Sequence, residues 1–333
     1  MLKNRRLTPN MVLLVIAILL ILFPMLSGNK YYLRTITTLA IAIVLTSGFR
    51  LIALTGQLSI AQAAFMGVGA YCSTLLIMNL GWNSWICFFL AGFAAALTAG
   101  IVGFITLRIK EIYFAIATLA LNELFRLIWV EWDTLFGGPA GIVNIPSPDP
   151  ILGIHFGSVV SFYYIAVLLL FSATAMMLRI ERSRIGLIFS SIREFDTLAA
   201  SLGVNLIWEK VKAFMIACFF AGMAGALYAH LQHFISPVDF TLMDSVMFLL
   251  YGVIGGLESV WGPAVGCTVM IFIPVGLRLI PNYNPVIEPI IFGGILILVM
   301  RFCPGGLVGL FQKLVSDLKK TESQKGEQEH AAA

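Results

Sequence analysis

A chain of 333 residues that is 59% apolar and only 11% charged, with a mean hydropathy of +0.95, carries more apolar surface than a soluble domain of that length can bury. Its apolar runs are long and continuous where barrel strands would alternate, which excludes a closed barrel and leaves an all-α polytopic membrane protein. The net charge of +4 matters less for its size than for where the basic residues sit.

Hydropathy marks about ten spans, at 11–27, 35–54, 59–79, 84–107, 112–130, 159–179, 213–233, 243–257, 262–281 and 286–302. Lys3, Arg5 and Arg6 ahead of the first span imitate a signal peptide. No small-x-small site closes it and the next span follows at once, so the first span reads as retained. Arg50, Arg108, Lys110, the basic residues from Arg179 to Lys212, and those from Arg301 onward fall on the same side as the N-terminus. Lys30, Arg34, Arg126 and Arg278 fall on the other. This bias predicts that both termini are cytoplasmic. Residues 1–310 form one transmembrane domain, with a cytoplasmic polar segment at 180–212 and an outer loop at 131–158. In that loop glycines and prolines break regular structure, and it serves either as a connector or as a contact for a soluble partner. The polar stretch 311–333 reads as a cytoplasmic, partly disordered tail.

Two glycine-punctuated stretches match each other: Gly56 to Gly69, opening the third span, and Gly255 to Gly266, joining the eighth and ninth. Paired interruptions of this kind are expected in transporters built from inverted repeats, where the repeat interface holds the pathway. The candidate path residues are Gly56, Gln57, Ser59, Gln62 and Gly67 in the first stretch and Gly255, Gly256, Ser259 and Gly266 in the second. Small residues that only let helices pack closely explain the same pattern.

Within the polar segment, Ser191 and Glu194 have capping-box spacing, and Gly203 suits a left-handed helix exit. Phe195, Leu198, Ala199 and Leu202 fall at i, i+3, i+4 and i+7, with Arg193, Glu194 and Asp196 off that stripe. A helix of about eleven residues is roughly 16 Å long and cannot cross a bilayer, so it lies outside the lipid. Its stripe covers either the protein's own surface or a partner.

No phosphate-binding G-x-x-x-x-G-K-[ST] loop exists, so the chain has no such nucleotide site of its own. His230 and His233 share a helix face without further ligands, and the five scattered cysteines lack metal spacing, so no metal or cofactor is expected. Glu123 and Arg126 read as a compensating pair on a bundle-facing side. An ion-coupled transporter acting alone would want a line of intramembrane acids, and an intramembrane enzyme a nucleophile, acid pair or metal set. Neither pattern is present in the sequence.

The segments TGQLSIAQAAFMGVGAY, LRIKEIYFAIATLALNELFRL, FGGPAGI, RSRIGLIFSSIREFDTLAASLGVN, KAFMIACFFAGMAGALYAH, GGLESVWGPAVG and PGGLVGL occur in this order. Together they resemble the LivM-type permeases of branched-chain amino acid ABC importers, over about residues 35 to 310. Ala200 stands where that family's coupling segment commonly has a glutamate, and Glu258 where a glycine is usual. The resemblance implies an inverted-repeat importer permease in the bacterial cytoplasmic membrane, itself without enzymatic activity. It also implies a related LivH-like second permease subunit, two cytoplasmic ABC ATPases and an external binding protein, with no nucleic acid as partner. The Ser191–Gly203 helix then resembles the coupling helix that docks on the ATPase. Similar permeases carry urea, short amides or other amino acids, which leaves the cargo open at this point.

Overall fold

The computed structural model describes residues 20, 23–24, 29–109, 111–150, 156–277, 287–303, 305–311 and 313. The membrane helices are α1 (Lys30–Ala53), α2 (Gln62–Leu80), α3 (Ser84–Thr106), α4 (Glu111–Glu131), α6 (Val159–Glu181), α9 (Leu206–Gln232), α10 (Leu242–Gly255), α11 (Gly262–Leu277) and α12 (Glu288–Phe302). Among the described residues, seven segments are long and apolar enough to cross a bilayer, the last being Pro237–Gly255, which includes α10. Gly262–Leu277 and Ile290–Val299 are shorter apolar helices. They answer to the second through tenth expected spans. The expected first span and the tail lie outside the described residues, apart from residues 20, 23, 24, 311 and 313.

Polar residues start the spans, at 84 and 159 where hydropathy places them, and at 30 and 206, ahead of the expected 35 and 213. Asn29, Asn83, Ser158 and Asn205 each accept a backbone N–H of the first turn of α1, α3, α6 and α9. Thr241 and Asp244 form a reciprocal capping box on α10. Between α2 and α3 the chain turns at Gly81, with φ +63°.

Helix α9 is the centre, touching α1, α2, α3 and α6. Its glycines allow that: a methyl at Gly225 would run into the carbonyl of Met66, and one at Gly222 would meet Ala91 and Ala95. Phe65, Phe114 and Phe214 fill the core beside this crossing.

The outer loop is more regular than its glycines and prolines suggest. It holds α5 (Asp133–Phe136), a 3₁₀ turn at Gly138–Ala140 and strand β1 (Ile142–Val143), which pairs antiparallel with β2 (Phe234–Ile235) just after α9. His230 and His233 bind the carbonyls of Pro146 and Ile145 at 2.7 and 2.8 Å, and Asp149 accepts from Ser84 N and Oγ at 2.6 and 2.9 Å. The loop is thereby tied over the N-terminal end of α3 and the C-terminal end of α9. On the opposite side lie α7 (Arg184–Glu194) and α8 (Asp196–Ser201).

Candidate functional site

Between α1 and α2 the backbone is not helical, although it is buried. Gly56 sits at φ +77°, and the segment then runs irregularly, through a bend at Ile60, to Gln62. One of its amides and two of the first turn of α2 are satisfied from other helices: Ile60 N donates to Thr118 Oγ1 at 2.9 Å, Ala63 N to Ser245 Oγ at 2.9 Å and Ala64 N to Asn122 Oδ1 at 3.1 Å. Ser245 in turn donates to Asn122 at 2.8 Å, closing a junction of α2, α4 and α10. At 1.5 Å per residue Asn122 lies about 16 Å along α4 from Glu111, so α2 begins near the middle of the span. Irregular backbone at that depth is tolerated only inside protein or against a water-filled cavity.

Gln57, Ser59 and Gln62 are each 1% exposed. Gln57 Oε1, Ser59 Oγ and both amide atoms of Gln62 have no hydrogen-bond partner in the protein. Each such group costs about 1–3 kcal/mol, so three in one segment are an expensive way to build a core. A cavity of about 610 Å³ reaches Gln57 from the ends of α3, α4, α8 and α9, and Arg108, Tyr113, Asp196 and Lys210 also line it.

The second glycine stretch is built differently. Gly255 and Gly256, the latter at φ +107°, make a tight turn from α10 into α11. A methyl at Gly255 would overlap the Gly262 carbonyl, and one at Gly266 the Tyr251 carbonyl. Ser259 Oγ accepts from Trp261 N at 3.3 Å. At Gly67 a methyl would strike the Trp129 indole. Gly67, Gly255 and Gly266 are thus positions of close approach, while Gln57, Ser59 and Gln62 form the polar part of the candidate passage.

Beside that turn, Arg50 in the last turn of α1 forms a two-bond ion pair with Glu181 at 2.8 and 3.1 Å and donates to the Glu258 carbonyl at 3.2 Å. The Arg50 side chain is 4% exposed and that of Glu181 30%. One guanidinium therefore joins α1, the end of α6 and the α10–α11 turn. Sequence reasoning counted Arg50 only as an inner positive charge, because Glu181 is 131 positions away.

The helix expected within the polar segment differs from its expected form. Ser191 does not cap it; its hydroxyl donates to Leu187 O at 2.8 Å inside α7, which runs through Arg193 and Glu194. Ser183 caps α7, and Phe195, at φ −148°, breaks the chain before α8 starts at Asp196. Phe189 of α7 is buried with Leu51, Leu54, Ile180 and Ala213, which fixes the element to the ends of α1, α6 and α9. Gly203 ends α8 in the left-handed region as expected, at φ +86°. The stripe divides: Ala199 is buried, whereas Phe195, Leu198 and Leu202 are 65, 58 and 79% exposed. Arg193, Glu194 and Asp196 are exposed around them. Leu198 on this short helix and Phe195 and Leu202 at its two ends are thus large apolar side chains left uncovered by the chain itself.

Glu123 and Arg126 are paired as expected, with Arg126 Nε at 2.9 and 3.0 Å from the two carboxylate oxygens. They do not face the bundle, since their side chains are 40 and 29% exposed. The buried side of α4 is taken by Phe114, Thr118, Asn122 and Trp129. A charged residue at the centre of a span costs about 2.5–3.5 kcal/mol even in the mildest measure, so lipid is a poor neighbour for this pair.

The family described as branched-chain amino acid transport system / permease component matches residues 31–300. The high-affinity branched-chain amino acid transport system permease protein LivM of Salmonella typhimurium is 30% identical, with 96% of this chain and 78% of that protein covered. LivM of Escherichia coli is 29% identical, with 95% and 78% covered. A probable LivM of Methanocaldococcus jannaschii is 25% identical over 64% of this chain and 67% of that one. No solved structure matches. With the family pattern spanning nearly all the membrane helices, the chain belongs to the branched-chain amino acid transport system permease component family.

Proposed function

We propose that this chain is the membrane-spanning permease subunit of an ATP-driven ABC importer for branched-chain amino acids in the cytoplasmic membrane of a bacterium. Both termini lie on the cytoplasmic side in this reading, as the distribution of basic residues supports. Two cytoplasmic ATPase subunits drive the transport, a related LivH-like permease completes the membrane unit, and an external binding protein delivers the substrate onto the outer cap. The observation that carries the reading, beside family membership, is the exposed Phe195, Leu198 and Leu202 face on a short helix outside the membrane. That face suits a groove on an ATPase, and α7 links it to the ends of α1, α6 and α9.

In the same reading, the substrate passes the segment Gly56 to Gln62. Its unpartnered amides and hydroxyl supply hydrogen bonds to a polar solute or its water at a depth where lipid supplies none. The glycines at 67, 255, 256 and 266 set the close helix spacing around that route.

Reconstitution in liposomes tests the proposal. The complete assembly should accumulate labelled leucine only with ATP and binding protein, and this chain alone should neither hydrolyse ATP nor accumulate substrate. Uphill uptake by the chain alone would establish a secondary transporter instead.

A further inference from the structure

The cavity of about 610 Å³ that reaches Gln57 is of small-molecule size and carries charges of both signs. Arg108 follows the end of α3, Asp196 opens α8 and Lys210 stands near the start of α9. Arg108 and Asp196 are exposed and form no ion pair with each other. The guanidinium lies 4.8 Å from the centre of the Phe104 ring, and the carboxylate accepts from Thr197 N at 2.7 Å. Opposite charges that share one cavity without closing on each other leave room between them for a molecule bearing both. Leu107, Ile109, Ile112, Leu206 and Ile207 make most of the remaining wall aliphatic. Gln57 adds a polar group from the interior. It is 1% exposed, and its Oε1, an acceptor with no partner in the protein, calls for an N–H donor.

From the separated charges, the aliphatic wall and the unpartnered Gln57 acceptor, we infer that this cavity binds a free aliphatic α-amino acid and that its occupation restrains α8. The carboxylate of such a ligand belongs with Arg108 and Lys210, its ammonium with Asp196 and Gln57 Oε1, and its side chain with the aliphatic wall. A simple anion would meet Asp196, a simple cation two positive side chains, and an uncharged solute would leave all three charges unanswered. Asp196 is the first residue of α8, so a bound amino acid ties the helix that carries Leu198 to the end of α3 and the start of α9. A ligand stabilises the arrangement that it binds, and delivered amino acid that accumulates on this side therefore slows further delivery. The inference rests on the proposed function and adds regulation to it: the cavity meets the route at Gln57, on the side which that reading makes cytoplasmic. A zwitterionic phospholipid headgroup carries the same two charges, and the test separates it.

The test uses the complete assembly, without binding protein, in phosphatidylglycerol nanodiscs open on both faces. Binding of labelled leucine is measured by equilibrium dialysis, and ATP hydrolysis is followed as leucine is added. Leucine should bind and slow hydrolysis, whereas leucine amide, which lacks the carboxylate, and 4-methylpentanoate, which lacks the ammonium, should do neither. Arg108→Gln and Asp196→Asn change exposed side chains, and each should weaken leucine binding roughly 10-fold or more, with hydrolysis compared with the variant's own leucine-free rate. Absent leucine binding, equal binding of either analogue, unchanged affinity in both variants, or binding that leaves hydrolysis unchanged overturns the inference. Phosphatidylethanolamine added to the nanodiscs should leave the leucine effect intact. If it slows hydrolysis by itself and displaces leucine, the headgroup is the ligand and the inference falls. ATP-dependent leucine uptake with binding protein in proteoliposomes is measured alongside. Its absence counts against the transport reading, whereas uptake without leucine binding to the assembly defeats this site alone.

Discussion

The Arg50–Glu181 pair predicts an asymmetry between its two halves. Glu181→Gln leaves a guanidinium that is 4% exposed without its counter-charge, with Nε already lacking a partner. Removing one partner of a buried pair costs about 3–5 kcal/mol, and the residual oxygen of glutamine places this change near the lower end. Arg50→Met leaves instead a carboxylate that is 30% exposed beside a cavity of about 510 Å³, also lined by Glu258 and Ser259. Water can reach that carboxylate, and the methionine fills most of the vacated volume, so the expected cost is about 1 kcal/mol. The difference of about 2 kcal/mol corresponds to roughly 4 °C in a chain of this size, extrapolating the trend of smaller melting shifts in longer chains. Size-exclusion of the detergent-solubilised protein after a temperature series measures it. Glu181→Gln should melt lowest and Arg50→Met near wild type, with the double variant close to Arg50→Met. A midpoint for Arg50→Met at or below that of Glu181→Gln would refute the assignment of Arg50 as the desolvated member.

Phe195→Ala with Leu198→Ala removes two apolar side chains, each more than half exposed and available for docking. At about 1–2 kcal/mol apiece, retention of the ATPase on purification should fall on the order of 100-fold, with membrane insertion unchanged. Gly203→Val meets no atom within 4 Å and pays only for its φ of +86°, so it should fold and lose about 1–2 kcal/mol locally. Gly266→Val drives a side chain into the Tyr251 carbonyl and should abolish the folded peak in the same size-exclusion assay. For topology, cysteines at the exposed positions 194 and 238 are the reporters, on a background without native thiols. An impermeant reagent applied to intact cells should label 238 and spare 194.

Hydropathy suffices to place the spans because their length and apolar content are set by the bilayer, whatever their neighbours. Gly203 was legible too, since few residues other than glycine enter the left-handed region cheaply. The Ser191–Glu194 box was misleading because the same spacing occurs inside a helix, where the serine hydroxyl bonds the carbonyl of Leu187 instead. Facing is the general gap. Glu123 and Arg126 announce their pairing by i, i+3 spacing, but which side of α4 they take depends on Phe214, Ile60 and Ala64 engaging Phe114, Thr118 and Asn122. The Arg50–Glu181 contact and the Ser245–Asn122 junction join residues 131 and 123 positions apart, beyond the reach of any local pattern. Gln57, Ser59 and Gln62 were picked out beside their glycines, yet the absence of hydrogen-bond partners emerges only once the surrounding helices are in place.

Helix α9 is continuous for 27 residues, from Asn205 just past the α8 exit to His233 under the outer cap. At 1.5 Å per residue it is a rod of about 40 Å, longer than the hydrocarbon is thick. Pivoting it by about 5° at its Asn205 end would sweep the other end through roughly 3.5 Å, more than the length of a hydrogen bond. His230 and His233 sit at that swept end and grip the Pro146 and Ile145 carbonyls. A single rigid element thus reaches from the turn beside Gly203 to the loop that the two histidines hold.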